Sequence, residues 1–194
     1  MPAKLQFSEQ ESSIVKDAEL ILTKNRIIAK LQQVFGGVAA GLQQQIHLCQ
    51  PPLSEEVTRI SPKISKGEQY RELPYVMLDY PRFFSREDVL AIRTFFWWGH
   101  YCSVTLHLKG SYLNQYLPML QKNMVSLEGF RCCTRGDEWN HDLLSNDYVP
   151  ATETTMQTGQ MEFLKIGKIQ PLENWPEMET NLLKTGKQLL DLLQ

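Results

Sequence analysis

The chain has 194 residues, of which 42% are hydrophobic and 22% are charged, and its formal net charge is −2. This composition is typical of a soluble globular protein and argues against a disordered or fibrous one. Because the 20 Lys and Arg residues are scattered along the chain, no basic stripe is available to bind phosphates, and we expect no nucleic-acid partner.

The sequence shows neither an export signal nor a membrane span. Residues 1–11 contain no apolar segment behind a basic start, and no window approaches the roughly 18 consecutive apolar residues that cross a bilayer. Four cysteines, two of them adjacent, do not suit a disulfide framework: Cys49, Cys102, Cys132 and Cys133. We therefore expect a cytoplasmic protein with no membrane partner.

A long proline-free segment near the N-terminus predicts helix. Ser8-Glu9-Gln10-Glu11 has the form of a capping box, and apolar residues then recur at spacings of three, four or seven. We expect two helices, or one bent helix, over about 8–50, with one apolar stripe that is buried. Gly37 and Gly41 lie four apart, which favours close approach of another backbone. We also expect these helices to form the contact of a homodimer.

The segment after Pro51-Pro52 is predicted to hold a single strand. Residues 53–69 are polar and indicate a connector that crosses the surface. Residues 73–80 are typical of a strand that ends at Pro81, and Ser85-Arg86-Glu87-Asp88 predicts the cap of a short helix.

Residues 94–108 predict a β-hairpin whose two faces differ chemically. Gly99-His100 suits a two-residue turn with glycine at positive φ. If Trp98 faces Tyr101, alternation places an apolar set on the core side: Phe95, Trp97, Cys102, Val104, Leu106 and Leu108. The opposite side then carries rings, hydroxyls and an imidazole: Thr94, Phe96, Trp98, Tyr101, Ser103, Thr105 and His107. This second side suits a ligand or partner, and a second core layer explains it equally well.

The rest of the chain alternates between helix and strand. We expect a helix from Gly110-Ser111 to about Lys122, a strand over 130–134, a long loop over 135–158 and a strand over 161–169. Asn174-Trp175-Pro176-Glu177 predicts the start of a last helix, whose apolar stripe docks on the sheet. The order predicts one α+β domain over 1–194, with an antiparallel sheet of about four or five strands covered by the N-terminal and C-terminal helices.

Common catalytic and cofactor signatures are missing from the sequence. It has no nucleotide-binding glycine loop, no nucleophile elbow and no paired C-x-x-C, so we expect no cofactor. His47-Leu48-Cys49 and His100-Tyr101-Cys102 share a His-x-Cys spacing, but one lies on a predicted helix and the other in the predicted turn, so we expect no metal site. In Cys132-Cys133, one thiol is expected to point inward as a small apolar group.

His107 is the candidate catalytic residue, because Ser103 and Thr105 share its strand face. It could act as a general acid or base, and the alternative that we favour is a partly buried histidine that is hydrogen-bonded to a hydroxyl group. Two other features lie near the hairpin or in the loop. Arg82 and Arg93 could bind a carboxylate or phosphate, although surface ion pairs are the interpretation that we favour. The segment Asp137-Glu138-Trp139-Asn140-His141-Asp142 could form a hard-cation or acid/base cluster, and we favour a solvated loop.

Three functional hypotheses follow. The first is a domain that binds a small organic ligand or a peptide on the aromatic face, through Phe96, Trp98, Tyr101, Ser103, Thr105, His107 and Arg82. The second is an enzyme that uses His107 as general acid or base in the same pocket. The third is an assembly partner that buries this face between chains. A pocket with His107 and a carboxylate in reach would favour catalysis, whereas a pocket of rings and hydroxyls would favour binding.

Overall fold

A computed structural model of the protein describes residues 6–123, 127–152, 155 and 161–194. Within them the chain forms an α+β fold, with one antiparallel sheet and with helices at the N-terminal and C-terminal ends, as the order of elements predicted. No helix in these ranges has the length and apolar character needed to cross a membrane.

The N-terminal segment forms two helices, α1 (Glu9–Lys16) and α2 (Ala18–Leu48), which confirms the helical prediction for this region. Ser8 caps α1 with the reciprocal bonds of a capping box, and the side chain of Asp17 caps α2. α1 buries no side chain, and the first buried residue of α2 is Ile28. The apolar stripe predicted from the spacing is therefore buried only in the later part of α2.

The other helices are shorter. They are α3 (Glu55–Thr58), α4 (Ser111–Asn123) and α5 (Met178–Asp191), with a 3-10 segment over Leu172–Glu177. Because Pro176 and the non-helical backbone of Asn174 fall in that 3-10 segment, α5 begins at Met178, later than the sequence predicted. Its apolar stripe docks on the helices and the sheet as expected, with Leu182 and Leu189 fully buried.

The described residues contain a seven-stranded sheet, so the prediction of four or five strands was wrong. The strands are β1 (Lys63–Tyr70), β2 (Leu73–Phe84), β3 (Val89–Trp97), β4 (Tyr101–Lys109), β5 (Arg131–Cys133), β6 (Val149–Pro150) and β7 (Phe163–Gln170), in the spatial order β1-β2-β3-β4-β7-β5-β6. The two unexpected strands lie where loops were predicted: β1 in the polar segment 53–69 and β6 in the segment 135–158. Residues 153, 154 and 156–158 of the second segment lie outside the described residues.

Two local predictions around β2 were wrong. The strand does not end at Pro81 but continues to Phe84, because a bulge between Asp79 and Arg82 absorbs the proline and pairing with β3 resumes afterwards. Ser85 and Asp88 do not cap a helix. They form the tight turn between β2 and β3, in which Ser85 N donates to Asp88 O at 2.9 Å.

The two faces of the sheet are covered differently. The helix face carries the apolar residues of β3 and β4 that pack against α4 and α5 and share one core with α2, among them Leu90, Ile92, Val104, Leu106 and Leu108. The opposite face, called the loop face below, carries Arg93, Phe95, Trp97, Tyr101, Ser103, Thr105, His107 and Lys165. Residues 137–148, called the covering loop, lie over part of this face and bury Leu143 and Tyr148 against it.

The hairpin between β3 and β4 exists, but its predicted register was wrong. Trp97, rather than Trp98, pairs with Tyr101, so the connection has three residues, and Gly99 adopts the expected positive φ of 74°. The extra residue moves β3 by one position relative to β4, which exchanges the faces of all its side chains. Phe95 and Trp97 therefore lie on the loop face, whereas Thr94, Phe96 and Trp98 lie on the helix side.

Candidate functional site

Asn140 holds the covering loop on the loop face through hydrogen bonds of its side-chain amide and its backbone carbonyl. Its side-chain nitrogen donates to Ser145 Oγ at 3.0 Å and to Asp147 Oδ2 at 2.9 Å. Its backbone carbonyl accepts from Tyr148 Oη at 3.0 Å and from the ammonium nitrogen of Lys165. Asn140 thus links two distant points of its own loop to β7, and it is buried although it lies in an irregular segment.

A second set of contacts fixes the other side of the covering loop. Tyr101 Oη donates to Asp142 Oδ1 at 3.1 Å and accepts from Leu143 N at 2.9 Å, and Arg71 forms an ion pair with Asp142. Tyr70 Oη accepts from His141 N at 2.8 Å. Burial raises the pKa of Tyr101 far above its ordinary value, so its hydroxyl remains a donor. These bonds hold the backbone of 141–143 against β1 and β4.

Behind the covering loop, the loop face carries a buried ion pair. The Arg93 guanidinium binds Asp79 in bidentate fashion, through Nε to Oδ1 at 2.7 Å and Nη2 to Oδ2 at 3.0 Å. The two side chains are only 12% and 6% exposed. The remaining nitrogen, Nη1, lies 3.0 Å from His141 Nε2. Because arginine is always protonated and has no acceptor, it must donate to this imidazole nitrogen.

This bond fixes the proton of His141. Burial, together with the neighbouring Lys165 and Arg93, lowers the pKa of His141 to about 2, so the imidazole is neutral. With Nε2 accepting from Arg93, the single proton sits on Nδ1, which faces Lys165 Nζ at 3.5 Å. A neutral amine can accept from Nδ1 while it donates to Asn140 O. The geometry therefore suits an uncharged Lys165.

Lys165 is buried, with only 2% of its surface exposed. No carboxylate among the described residues forms an ion pair with it. Burial, reinforced by the charge of Arg93, lowers its pKa to about 7. Its nitrogen also lies 5.7 Å from the centre of the Tyr148 ring. At this pKa the buried amine is deprotonated in about half of the molecules at pH 7.

His107 lies beside this network in a very small space. Burial is the main cause that lowers its pKa to about 3, with Lys165, Arg93 and Lys109 adding to the shift. Its Nε2 is 3.3 Å from Glu138 Oε2, yet neither atom has a hydrogen-bond partner among the described residues, and Lys109 binds the other carboxylate oxygen at 2.7 Å. The void next to His107 measures about 10 Å³, which is room for one water molecule at most.

A larger space, called the aromatic cleft below, opens on the other side of His141. Its volume is about 410 Å³, and its walls come from β1, β2, β3 and the covering loop. The lining residues are Gly67, Glu68, Gln69, Tyr70, Tyr75, Met77, Phe95, Trp139 and His141. Gly67 leaves room for the Tyr75 ring, because a Cβ at its position would lie 2.5 Å from that ring and the ring would have to shift. The walls combine four aromatic rings and a thioether with one acidic side chain.

The structure brings only part of the predicted ligand-binding set together. Tyr101, Ser103, Thr105 and His107 do share the loop face, and all four are buried. Phe96 and Trp98 lie on the other side of the sheet, where their rings meet edge to face at 6.0 Å. Arg82 is elsewhere again, with Nε donating to Ser61 O at 2.9 Å. The recognition surface that depended on Trp98 and His107 being on one side therefore does not form.

The cysteines and the His-x-Cys pairs also separate. His100 is exposed and stacks on Trp97 with ring centres 3.6 Å apart, whereas Cys102 is buried on the helix face. Cys132 and Cys133 are both buried, in cores on opposite faces, and burial raises the pKa of each thiol. In the part of the chain that the structure describes, no group of three or more His, Cys, Asp or Glu side chains is placed to hold a metal ion.

Sequence reasoning missed most of the residues that build the cleft and the network behind it. The covering loop does not lie free in solvent, since Asn140 is buried and His141 is the point where cleft and network meet. One available signal was Lys165, which alternation places on the same strand face as Phe163 and Ile169. A lysine between apolar neighbours on one face indicates either a buried amine or a long side chain that reaches out, and the pattern alone does not separate the two.

Comparison with known proteins gives no guidance to function: no protein-family model, no curated protein and no solved structure matches this chain.

Proposed function

We propose that this protein binds a small aromatic organic molecule in the aromatic cleft. The observation that carries the proposal is a space of about 410 Å³ walled by Tyr70, Tyr75, Phe95 and Trp139. Sites for small ligands typically measure about 300–1,000 Å³ and combine apolar or aromatic walls with a few polar groups. Aromatic rings prefer offset or edge-to-face contacts with other rings, so a planar ligand fits such walls.

The charges of the cleft favour a neutral or cationic ligand. Among the described residues that line the cleft, Glu68 is the only one with a charged side chain, and its carboxylate already binds the Lys24 ammonium at 2.6 Å. The guanidinium of Arg93 lies behind His141 with its charge opposed by Asp79, so an anionic ligand would find no unpaired cation there. A ligand that carries an amine would instead gain from the ring faces and from the half-exposed Glu68 carboxylate, which it would share with Lys24.

The protonation states favour binding over acid–base catalysis. Of the described residues that line the cleft, His141 alone carries an imidazole, and its low pKa keeps it neutral while both of its nitrogens face other protein groups. His107 does not line the cleft, and the adjoining void is too small for an organic substrate. A general acid or base needs a titrating group within hydrogen-bonding reach of the substrate, and neither histidine meets that requirement.

The walls are also held rigidly, which lowers the entropic cost of binding. Tyr70 meets Phe95 and Trp97 edge to face at 5.2 Å and accepts a hydrogen bond from His141 N. Met77 is the flexible element, because its unbranched thioether can adjust to the outline of a ligand.

A ligand-observed NMR screen tests this proposal with matched aromatic fragments that are neutral, cationic or anionic. We expect hits among the neutral and cationic fragments, and we expect Met77→Trp, which fills the cleft, to weaken their binding at least about tenfold. Met119→Trp is the control, because Met119 is also partly buried but lies on α4, away from the cleft. Binding that survives Met77→Trp unchanged, or a hit set made only of anions, would overturn the proposal.

A further inference from the structure

The N-terminal helices expose apolar side chains that no other described residue covers. α1 and residues 18–27 of α2, together called the N-terminal arm, bury no side chain. Ile14 is 46% exposed and Val15 is 67% exposed, and three consecutive residues of α2 are each about half-exposed: Leu20, Ile21 and Leu22. Consecutive residues are about 100° apart around a helix, so these three need cover from more than one side.

An apolar groove lies beside the arm. It is lined by Ile27, Lys30, Leu31, Val34 and Trp175, and its volume is about 410 Å³. Lys30 is the only charged side chain in this lining, and the indole of Trp175 remains 40% exposed. The groove therefore offers an apolar floor with one cation at its rim.

One face of α1 carries apolar and acidic side chains that complement the apolar floor and the lysine of this groove. Glu11, Ile14 and Val15 lie three and four residues apart, so they share one face of α1. An amphipathic helix that lies in a groove typically places its apolar residues on the floor and its charges at the rim. The apolar pair of α1 matches the floor, and Glu11 matches Lys30.

The geometry prevents α1 from reaching the groove of its own chain. Only Asp17 separates α1 from α2, and its side chain accepts from Leu20 N as the cap of α2. Two antiparallel helices need a loop of about two to five residues between them. The groove begins at Ile27, about 15 Å along α2 from Asp17 at 1.5 Å per residue. A second copy of the chain meets no such restriction.

The charge pattern favours an antiparallel alignment of two copies. Residues 6–19 carry four acidic residues and one lysine, whereas residues 20–34 carry three basic residues and no acidic one. Within one chain Arg26 pairs with Glu19 and Lys24 pairs with Glu68, so Lys30 is the basic residue of this segment that faces the acidic residues of α1 in the other chain. Antiparallel arms place the acidic segment of each chain beside the basic segment of the other, while parallel arms place like charges together. The same two contacts are then made twice around a two-fold axis, which closes the assembly at two chains.

From these observations we infer that the protein forms a two-fold symmetric dimer in which α1 of each chain lies in the groove formed by Ile27, Lys30, Leu31, Val34 and Trp175 of the other. The dimer covers the exposed residues of the arm, and its groove shares no lining residue with the aromatic cleft.

Sedimentation velocity on the full chain tests this inference. We expect a species of twice the 22.5 kDa chain mass at tens of micromolar protein, and we expect the double variant Ile14→Glu/Val15→Glu to sediment as a monomer. The control is Leu48→Glu/Leu144→Glu, which adds two charges at exposed leucines outside the arm and should leave the dimer intact. Circular dichroism should show that both variants fold, since none of the four side chains is buried.

Two further measurements separate this dimer from other arrangements. A cysteine in place of Ile21, near the expected axis, should cross-link two chains, whereas one in place of Glu9 should not; equal cross-linking at both would indicate parallel arms. Vesicles of phosphatidylcholine and phosphatidylserine test a lipid surface as the alternative occupant. A monomeric wild-type chain, an Ile14→Glu/Val15→Glu variant that still dimerises, or arm-dependent vesicle binding by a monomer would each overturn the inference.

Discussion

Replacement of the buried Lys165 by methionine should change how the stability of the protein depends on pH. In the folded protein the pKa of Lys165 is lowered to about 7, from 10.5 in an exposed lysine. Between these two values the unfolded chain binds a proton that the folded chain does not. The free energy of unfolding therefore rises with pH across this range. As the pH falls towards 7, the gain disappears because the folded chain must then protonate the buried amine.

The expected magnitude follows from that difference in proton binding. One proton of difference corresponds to about 1.4 kcal/mol per pH unit, and about half a proton differs at pH 7. Integrated between about pH 7 and 9, Lys165 should add about 2 kcal/mol to the free energy of unfolding. Methionine has a similar length and no charge, so the variant should lack this increment.

Urea denaturation followed by circular dichroism, repeated at several pH values across this range, measures the effect. Subtraction of the variant from the wild type removes the opposite trend from buried tyrosine and cysteine side chains, whose pKa values are raised. Lys168→Met is the control, because Lys168 lies on the same strand but is partly exposed, with Nζ donating to Glu128 O. If wild type and Lys165→Met give parallel curves, the lysine is not neutralised by folding and the account of the buried network is wrong.

Two stability predictions concern other parts of the fold. Asp79→Ala leaves the Arg93 guanidinium buried without its carboxylate and should lower the free energy of unfolding by about 3 kcal/mol, measured by urea denaturation near neutral pH; a loss below about 1 kcal/mol would show that water replaces the pair. At the contact of α2 with α5, Gly186→Ala places a methyl group 2.8 Å from the Leu42 side chain, which is fully buried and has no room to move, and should lower the melting temperature. Gly36→Ala meets nothing within 4 Å and should raise stability by up to about 1 kcal/mol, so equal effects at the two glycines would contradict this packing.

The elements that the sequence predicted well are those whose pattern is set by their own backbone. From Ile28 onward the stripe of α2 follows the helical period, and the alternation along β4 depends only on β4, so both of these predictions agree with the structure. The faces of β3 were predicted wrongly because they depend on the length of the turn before Tyr101. A turn of three residues instead of two moves Phe96 to the helix face and Phe95 to the loop face.

The candidate site was harder to predict because it is assembled from distant segments. The covering loop has no apolar period, and its place is set by bonds from Asn140 and Asp142 to residues far away in the sequence. Gly67 and Tyr70 lie in β1, whose polar composition predicted a connector and not a strand. A sheet-edge strand with one solvated side has few apolar residues, so composition alone favoured a connector there.

The buried charges of the loop face are best explained by the position of the covering loop. Buried ion pairs contribute little net stability, because desolvation offsets most of their attraction, and an interior lysine without an acid is a cost. A core of apolar side chains would therefore be at least as stable. Apolar groups, however, impose no fixed orientation on an imidazole, whereas Arg93 and Lys165 bracket His141 from both sides and hold it at the cleft wall. Because the aromatic cleft lies on the other side of that ring, the network determines the shape of the space in which a ligand would sit.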